Sequence, residues 1–158
     1  MGMQQQGMAK GPPAGRPWQV MTSAGAFSEQ VGPFYACDEG LGPQEHGRFG
    51  FRVEPRHCNL RPMCHGGMLA TFLDVALARG LRLAGGMAPP LPTISLALDY
   101  LAPAPLGAWV EARVSVSRIG RSTGFVSAMI YADDAPVLRG SGVFRHFLAR
   151  QGVEGAGQ

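Results

Sequence analysis

The segment HCNLRPMCHGGMLATFLDVALARG, residues 57–80, combines two glycines and a histidine with a single carboxylate among apolar residues. That carboxylate, Asp74, stands in the apolar sequence FLDVA. An unpaired carboxylate in apolar surroundings costs several kcal/mol or takes up a proton. Two interpretations therefore stay open: Asp74 is a structural residue bonded to the backbone or to an arginine, or it is an acid–base group that acts on a substrate.

The HGG sequence, His65-Gly66-Gly67, immediately precedes this apolar stretch. Glycines at the start of a helix leave backbone N–H groups accessible, and these groups carry partial positive charge. Such groups can stabilise the oxyanion that forms on a carbonyl oxygen during acyl transfer. Glycine-rich helix starts are common, so the HGG sequence by itself indicates this chemistry only weakly.

The spacing of Gly66 and Asp74 limits how they could act together. The two residues are eight positions apart, which is about 12 Å along a helix. One aspartate side chain cannot cover that distance. If both residues act on one carbonyl, the aspartate must come from a second copy of the chain. A two-fold dimer with antiparallel helices would then hold two composite sites.

A helix over residues 67–84 would position both groups, with Gly85-Gly86 ending it. Arg79 and Arg82 fall in its last turns, where cations favour the helix dipole. Since this helix is apolar on nearly every side, most of its surface must be buried. Period-two alternation predicts one or two strands before it, one of them in FGFRVEP, and four after it, in TISLALDYL, WVEARVSVS, TGFVSAMIYA and VLRGSGVFRHF. The pattern predicts an α+β fold in which a curved antiparallel sheet wraps around one central helix.

The length of 158 residues suits one domain. Residues 1–17 are rich in Gly, Pro and Gln and predict a disordered leader, residues 18–150 the folded domain, and residues 151–158 a disordered tail. A net charge of +3 without a basic cluster gives no indication of nucleic-acid binding. The longest apolar run is too short to span a membrane. An odd count of 3 cysteines, with no apolar signal segment, favours the cytoplasm.

Two further groups of residues invite a site. His57-Cys58 and Cys64-His65 could suggest zinc, but adjacent ligands rarely reach one ion and no CxxC or HxxxH pair is present. We therefore predict no metal site and two small buried cysteines. Arg118 and Arg121 lie in the turn RIGRST; from the residues alone a charged turn that discourages aggregation is the simpler interpretation.

The ordered pattern N-x5-HGG-x6-D, formed by Asn59, His65, Gly66, Gly67 and Asp74, resembles the signature of the hotdog-fold acyl-CoA thioesterases of the phenylacetate-pathway (PaaI) type. The segments VGPFYA, FGFRVEPRHCN and TISLALDYLAPAPLGAWVEARV extend the resemblance over roughly residues 27–148. The resemblance implies a curved sheet around one long helix, and a homodimer that pairs into a homotetramer. It also implies hydrolysis of an aromatic or medium-chain acyl-CoA without a metal or redox cofactor.

The resemblance also implies a role for each catalytic position. The N–H of Gly66 would polarise the thioester carbonyl, and Asp74 of the other subunit would be the general base or the nucleophile. Asn59 would place the water or the carbonyl, and His65 would hold the loop or the sulfur end. Ser95 would supply a hydroxyl near the attacking water. One departure is that the family usually has a glycine between the asparagine and HGG, where this chain reads LRPMC.

For substrate binding, the resemblance implies that the RIGRST turn contacts the phosphates of coenzyme A and that the start of the helix contacts the acyl group. The implied binding residues are Gly67, Met68, Phe72, Arg118 and Arg121. Two alternatives are a hotdog-fold enoyl-CoA hydratase and a non-catalytic acyl-CoA-binding regulator. The hydratase families use motifs that have no counterpart here, and a pure binder gains nothing from an acid that faces a thioester.

Overall fold

One long helix forms the centre of the molecule. The structure is a computed structural model that describes residues 11–22 and 25–147. Its helices are α1 (Ala26–Val31) and α2 (Gly66–Gly85), with a short 3-10 turn between them at Pro55–His57. Its strands are β1 (Gln19–Val20), β2 (Tyr35–Cys37), β3 (Arg48–Arg52), β4 (Thr93–Tyr100), β5 (Trp109–Ile119), β6 (Thr123–Ala132) and β7 (Ala135–Arg145).

The bounds of α2 follow from the residues at its two ends. His65 caps the N-terminus in an extended conformation, and Gly86 ends the helix in the left-handed region with φ 60°. The N–H of Gly86 donates to the carbonyl oxygen of Arg82. The helix extends one residue beyond the predicted range 67–84 at each end.

The strands form one antiparallel sheet in the order β1-β2-β3-β5-β6-β7-β4. The sheet curves around α2, whose Phe72, Leu73, Leu77 and Leu81 are completely buried. Strand β4 follows the helix in sequence but lies at the edge of the sheet, beside β7. This architecture confirms the predicted α+β hotdog fold.

The helix approaches the sheet closely because glycines face it. A Cβ atom on Gly124 of β6 would lie 2.5 Å from the side chain of Leu81, and one on Gly140 of β7 would lie 2.4 Å from Leu73. Real Cβ atoms essentially never come that close. The two glycines therefore let large leucines of α2 fill the concave face of the sheet.

Part of the predicted leader has a described position. Residues 11–17 run beside the sheet, where Arg52 donates two hydrogen bonds to the carbonyl oxygen of Gly11, at 3.1 and 2.9 Å. Trp18 then packs edge-on against Trp109 with ring centroids 5.0 Å apart. Residues 1–10 of the leader and the predicted tail lie outside the described residues. Neither described helix has the length and apolarity that crossing a membrane requires.

Candidate active site

The first turn of α2 presents a backbone N–H group without an acceptor. The N–H of Gly67 donates to Nδ1 of His65 at 2.9 Å. The N–H groups of Met68 and Leu69 donate to the carbonyl oxygen of His65, at 2.9 and 3.2 Å. The N–H of Gly66 bonds to no acceptor among the described residues. This N–H, at the positive end of the helix dipole, can therefore bind an oxygen of a ligand.

Tyr100, which the sequence analysis did not single out, fixes the start of the same helix. Its hydroxyl group donates to the carbonyl oxygen of Gly66 at 2.7 Å. A Cβ atom on Gly66 would lie 3.1 Å from that hydroxyl oxygen. Period-two alternation in TISLALDYL predicts only that Tyr100 lies on the same face of the strand as Leu96 and Leu98. The sequence contained no signal for the hydrogen bond itself, because it joins residues 34 positions apart.

Asn59 lies in a tight loop directly before this helix. Its Oδ1 accepts a hydrogen bond from the N–H of Arg61 at 3.1 Å, and its own N–H donates to the carbonyl oxygen of Met63 at 3.1 Å. Asn59, Gly66 and Tyr100 line one small cleft of about 340 Å³. The structure thus brings two of the predicted site residues together, and the side-chain NH₂ group of Asn59 has no acceptor among the described residues.

Asp74 lines a different and larger cleft, of about 690 Å³. Asp74 is half-buried as a residue, and Oδ1 accepts a hydrogen bond from the hydroxyl group of Thr93 at 2.7 Å. The second oxygen, Oδ2, is bonded to no described group. One oxygen is therefore held in place while the other can take a proton from water in the cleft.

The hydroxyl group that bonds to Asp74 belongs to Thr93, two residues before Ser95, whose hydroxyl was predicted to lie near the attacking water. The pairing of β4 with β7 is irregular between these two residues: Thr93 is opposite Phe144, and Ser95 is opposite Val143. Beyond the irregularity, Ser95 alternates with the partly buried Leu96 and so lies on the other face of the strand. Strict alternation does not apply across such a bulge, which explains the difference.

Gly66 and Asp74 do not meet within one chain. They line separate clefts, and their eight-residue separation corresponds to about 12 Å along α2. The structure places both residues in α2, so the helical spacing assumed from the sequence applies. A carbonyl group held by the Gly66 N–H of one chain is beyond the reach of the Asp74 carboxylate of the same chain.

Two predicted acyl-binding residues lie in the hydrophobic core. The side chain of Phe72 is 0% exposed and packs against Phe34 and Phe51, with ring centroids 5.5 and 4.8 Å apart. Met68 is 7% exposed. Both residues therefore stabilise the fold and line neither cleft. Gly67 is exposed beside them and uses its N–H for the cap.

The turn that carries Arg118 and Arg121 lies far from Gly66. It sits near Leu81, fifteen residues further along α2, which corresponds to about 22 Å. Buried His146 holds the turn, because its N–H and its ring Nε2 bond to two of the turn's carbonyl oxygens at 3.0 Å. Both arginines are exposed, and no described carboxylate pairs with either.

The histidines and cysteines of residues 57–65 have structural partners. Nδ1 of buried His57 accepts from the N–H of Glu54 at 3.0 Å, and Nε2 donates to the carbonyl oxygen of Val31 at 2.8 Å. Burial lowers the pKa of His57, and burial raises the pKa of Cys64 to about 12. Within the described ranges, no three His, Cys, Asp or Glu side chains are grouped closely enough to hold a metal ion.

Comparisons with known proteins show similarity to a thioesterase family and to an esterase. The family model described as "Thioesterase superfamily" matches residues 62–138. A protein of Pseudomonas aeruginosa named "Putative esterase" is 28% identical over 127 residues, 80% of this chain and 92% of that protein. A variant of the phenylacetic acid degradation protein PaaI from Thermus thermophilus is 29% identical, with a TM-score of 0.62 over 75% of this chain and 97% of that one. A Bacillus halodurans protein crystallised with CoA is 26% identical, with a TM-score of 0.56; the match covers 63% of this chain and 66% of that one.

Proposed function

Because this chain belongs to the thioesterase superfamily, we propose that it hydrolyses an aromatic or medium-chain acyl-CoA to the free acid and CoA. One observation carries the proposal: the carboxylate of Asp74, one oxygen of which bonds to no described residue, lies in a cleft large enough for an acyl group. The esterase name of the Pseudomonas relative and the CoA bound to the Bacillus protein support the same reaction class and the same carrier.

In the proposed reaction, Oδ2 of Asp74 removes a proton from water, and the resulting hydroxide attacks the thioester carbonyl carbon. The N–H of Gly66 stabilises the negative charge that develops on the carbonyl oxygen. The C–S bond then breaks, and the proton held by Asp74 passes to the leaving thiolate. Direct attack by the carboxylate, followed by hydrolysis of the mixed anhydride, uses the same residues. Neither route needs a metal or a redox cofactor.

We place the two groups on different subunits of a homodimer. The separation of Gly66 and Asp74 within one chain supports this arrangement. The edge strand β4 also supports it, since Ile94 and Tyr100 are 57% and 53% exposed there. A long apolar edge strand is usually covered by another element or by another chain. A two-fold axis beside β4 would set the two α2 helices antiparallel, and two such dimers would form the homotetramer.

Three free cysteines support a cytoplasmic location.

Asn59 and His65 have supporting roles in this proposal. The NH₂ group of Asn59 can donate to the thioester carbonyl or to the water in the Gly66 cleft. Nδ1 of His65 accepts from Gly67, so the ring of neutral His65 carries its proton on Nε2. His65 thereby holds the helix start in the conformation that keeps the Gly66 N–H accessible.

Release of free thiol from a panel of acyl-CoA esters tests the proposed function. We expect turnover of at least one aromatic or medium-chain ester by the purified protein. Binding of several esters, measured by calorimetry, without hydrolysis of any would instead indicate a non-catalytic acyl-CoA-binding regulator.

We expect Thr93→Val to lower kcat by about tenfold, because it removes a hydrogen bond to a charged group without changing the shape of the side chain. KM should change little, since the hydroxyl group positions Asp74 and does not bind the acyl group. Thr93→Ser should restore kcat. Ser95→Ala is the matched control and should behave as wild type; a loss of kcat in this control instead of in Thr93→Val would assign the hydroxyl to Ser95.

We expect Arg121→Ala to raise KM for acyl-CoA by about tenfold, because the substitution removes a charge-assisted contact with a phosphate of CoA. The same acyl group on pantetheine lacks the nucleotide, so its KM should stay unchanged. Steady-state kinetics with both esters measure the difference. Equal changes for the two esters would show that Arg121 belongs to a charged turn without a role in binding.

A further inference from the structure

The larger cleft contains two arginines that the proposed reaction does not use. Helix α2 forms one wall of this cleft and contributes Asp74, Arg79 and Arg82 to it. The other walls are largely apolar and include Met21 before α1, Phe27 of α1 and Leu91 before β4. Asp74 is the one carboxylate among the described residues that line the cleft. The cleft is therefore apolar along its length, with an acid in one part and two cations in another.

Arg82 has a structural explanation, but Arg79 does not. Nε of Arg82 donates to the carbonyl oxygen of Met87 at 3.1 Å, just beyond the C-terminus of α2. Arg79 is half-buried and makes no ion pair or side-chain hydrogen bond with any described residue. Burial and, to a smaller extent, the charge of Arg82 lower the pKa of Arg79. A partly desolvated cation beside a like charge is unfavourable until an anion binds to it.

The position of Arg79 relative to Asp74 limits what this anion can be. The two residues are five positions apart on α2, about 7.5 Å along the helix axis. In the proposed reaction the thioester carbonyl lies beside Asp74, so the anion at Arg79 lies only a short way from that carbonyl. The phosphates of CoA are separated from the thioester by the full length of the pantetheine arm. A carboxylate at the far end of the acyl group is much closer.

We propose that Arg79 binds an anionic group of the substrate, and that this group is a carboxylate at the far end of the acyl chain. The inference rests on the proposed thioesterase function and narrows its substrate to dicarboxylic acyl-CoA esters such as adipyl-CoA. The apolar walls contact the stem of such an acyl group, and the planar guanidinium of Arg79 can bind the carboxylate through two parallel hydrogen bonds.

Adipyl-CoA and hexanoyl-CoA form a matched pair, because they have the same chain length and differ in the terminal carboxylate. We expect the wild-type protein to prefer adipyl-CoA. Arg79→Met should lower kcat/KM for adipyl-CoA by about 10- to 100-fold, because a bond between two charged groups is lost. The value for hexanoyl-CoA should stay close to wild type. Arg79→Lys, which keeps the charge, should recover part of the preference.

Arg139→Met is the control, since Arg139 pairs with Asp99 at 2.9 Å in an exposed ion pair outside this cleft. It removes one arginine and should leave both kcat/KM values unchanged. Pantetheine esters of the two acids identify the source of the anion. If Arg79→Met weakens both CoA esters equally and spares both pantetheine esters, the anion is a CoA phosphate and the carboxylate proposal is overturned. Equal losses for all four esters would make Arg79 a structural residue.

Calorimetric binding separates a failure of this inference from a failure of the proposed function. Turnover of hexanoyl-CoA without any preference for adipyl-CoA would overturn the carboxylate site and leave the thioesterase intact. If no ester is hydrolysed, the thioesterase proposal fails. In that case, tighter binding of adipyl-CoA that depends on Arg79 would still support the site, and equal binding of the two esters would reject it.

Discussion

Asp74→Asn is expected to lower kcat by about 10²- to 10⁴-fold while acyl-CoA binding is retained. The amide has nearly the same shape as the carboxylate, and its oxygen can still accept the hydrogen bond from Thr93. It cannot take a proton from water at neutral pH. The loss should therefore fall on kcat and leave KM almost unchanged, which thiol-release kinetics and calorimetric binding can measure together.

Asp99→Asn is the matched control for this substitution. Asp99 is also a carboxylate near the helix in sequence, but it is exposed and pairs with Arg139 away from both clefts. Its replacement removes one charge and should leave kcat unaltered. Thermal unfolding of both variants would establish that the fold is intact. A folded Asp74→Asn protein with wild-type turnover would exclude Asp74 from the reaction.

Gly66→Pro is expected to remove most activity by a different route, with a loss of about 10²- to 10³-fold in kcat. Proline deletes the N–H proposed to bind the oxyanion. The fold should accept it, because Gly66 is the first helical residue and its N–H has no described acceptor. His65 already has the extended conformation, with ψ 137°, that a residue before proline prefers. Gly66→Ala is the control: it places a similar Cβ against Tyr100 and keeps the N–H.

A mixture of the two inactive variants, Asp74→Asn and Gly66→Pro, should regain activity if the site is shared between subunits. In a mixed dimer, one site would contain both substitutions and the other would contain neither. Random exchange makes about half of the dimers mixed, each with one intact site of two, so activity should recover to roughly a quarter of wild type. A differently tagged copy of each variant and a pull-down would measure the mixed fraction. Mixed dimers that form and stay inactive would mean that one chain supplies the whole site.

The sequence predicted the central helix and the four strands after it because their signals are local. Arg79 and Arg82 are favoured near the C-terminus of the helix, and Gly86 ends the helix. The strands alternate with period two, and a curved sheet of such strands can bury a helix that is apolar on every side. The structure confirmed these elements to within a few residues. The position of Asp74 on the helix and of Gly66 at its start followed from the same periodicity.

Features that depend on register or tertiary contact could not be predicted. The register of β4 shifts between Thr93 and Ser95, which puts the hydroxyl group of Thr93 beside Asp74, and no sequence signal marks that irregularity. The bond from Tyr100 to Gly66 depends on the curvature of the sheet. Arg79 was assigned to the helix dipole alone, because the cleft that it lines requires chain from before α1. Distant segments create the cleft, and a local pattern does not contain that information.

The position of β4 in the sheet has a consequence for the synthesis of the protein. This strand is the next element after α2 in the chain, yet its neighbour in the sheet is β7, the last strand among the described residues. Until β7 emerges, β4 has no pairing partner within the described chain, and its apolar side chains, together with much of α2, remain uncovered. This edge of the sheet therefore closes only when the C-terminal strand pairs, and until then the nascent chain exposes apolar surface and an unpaired strand, both of which favour aggregation.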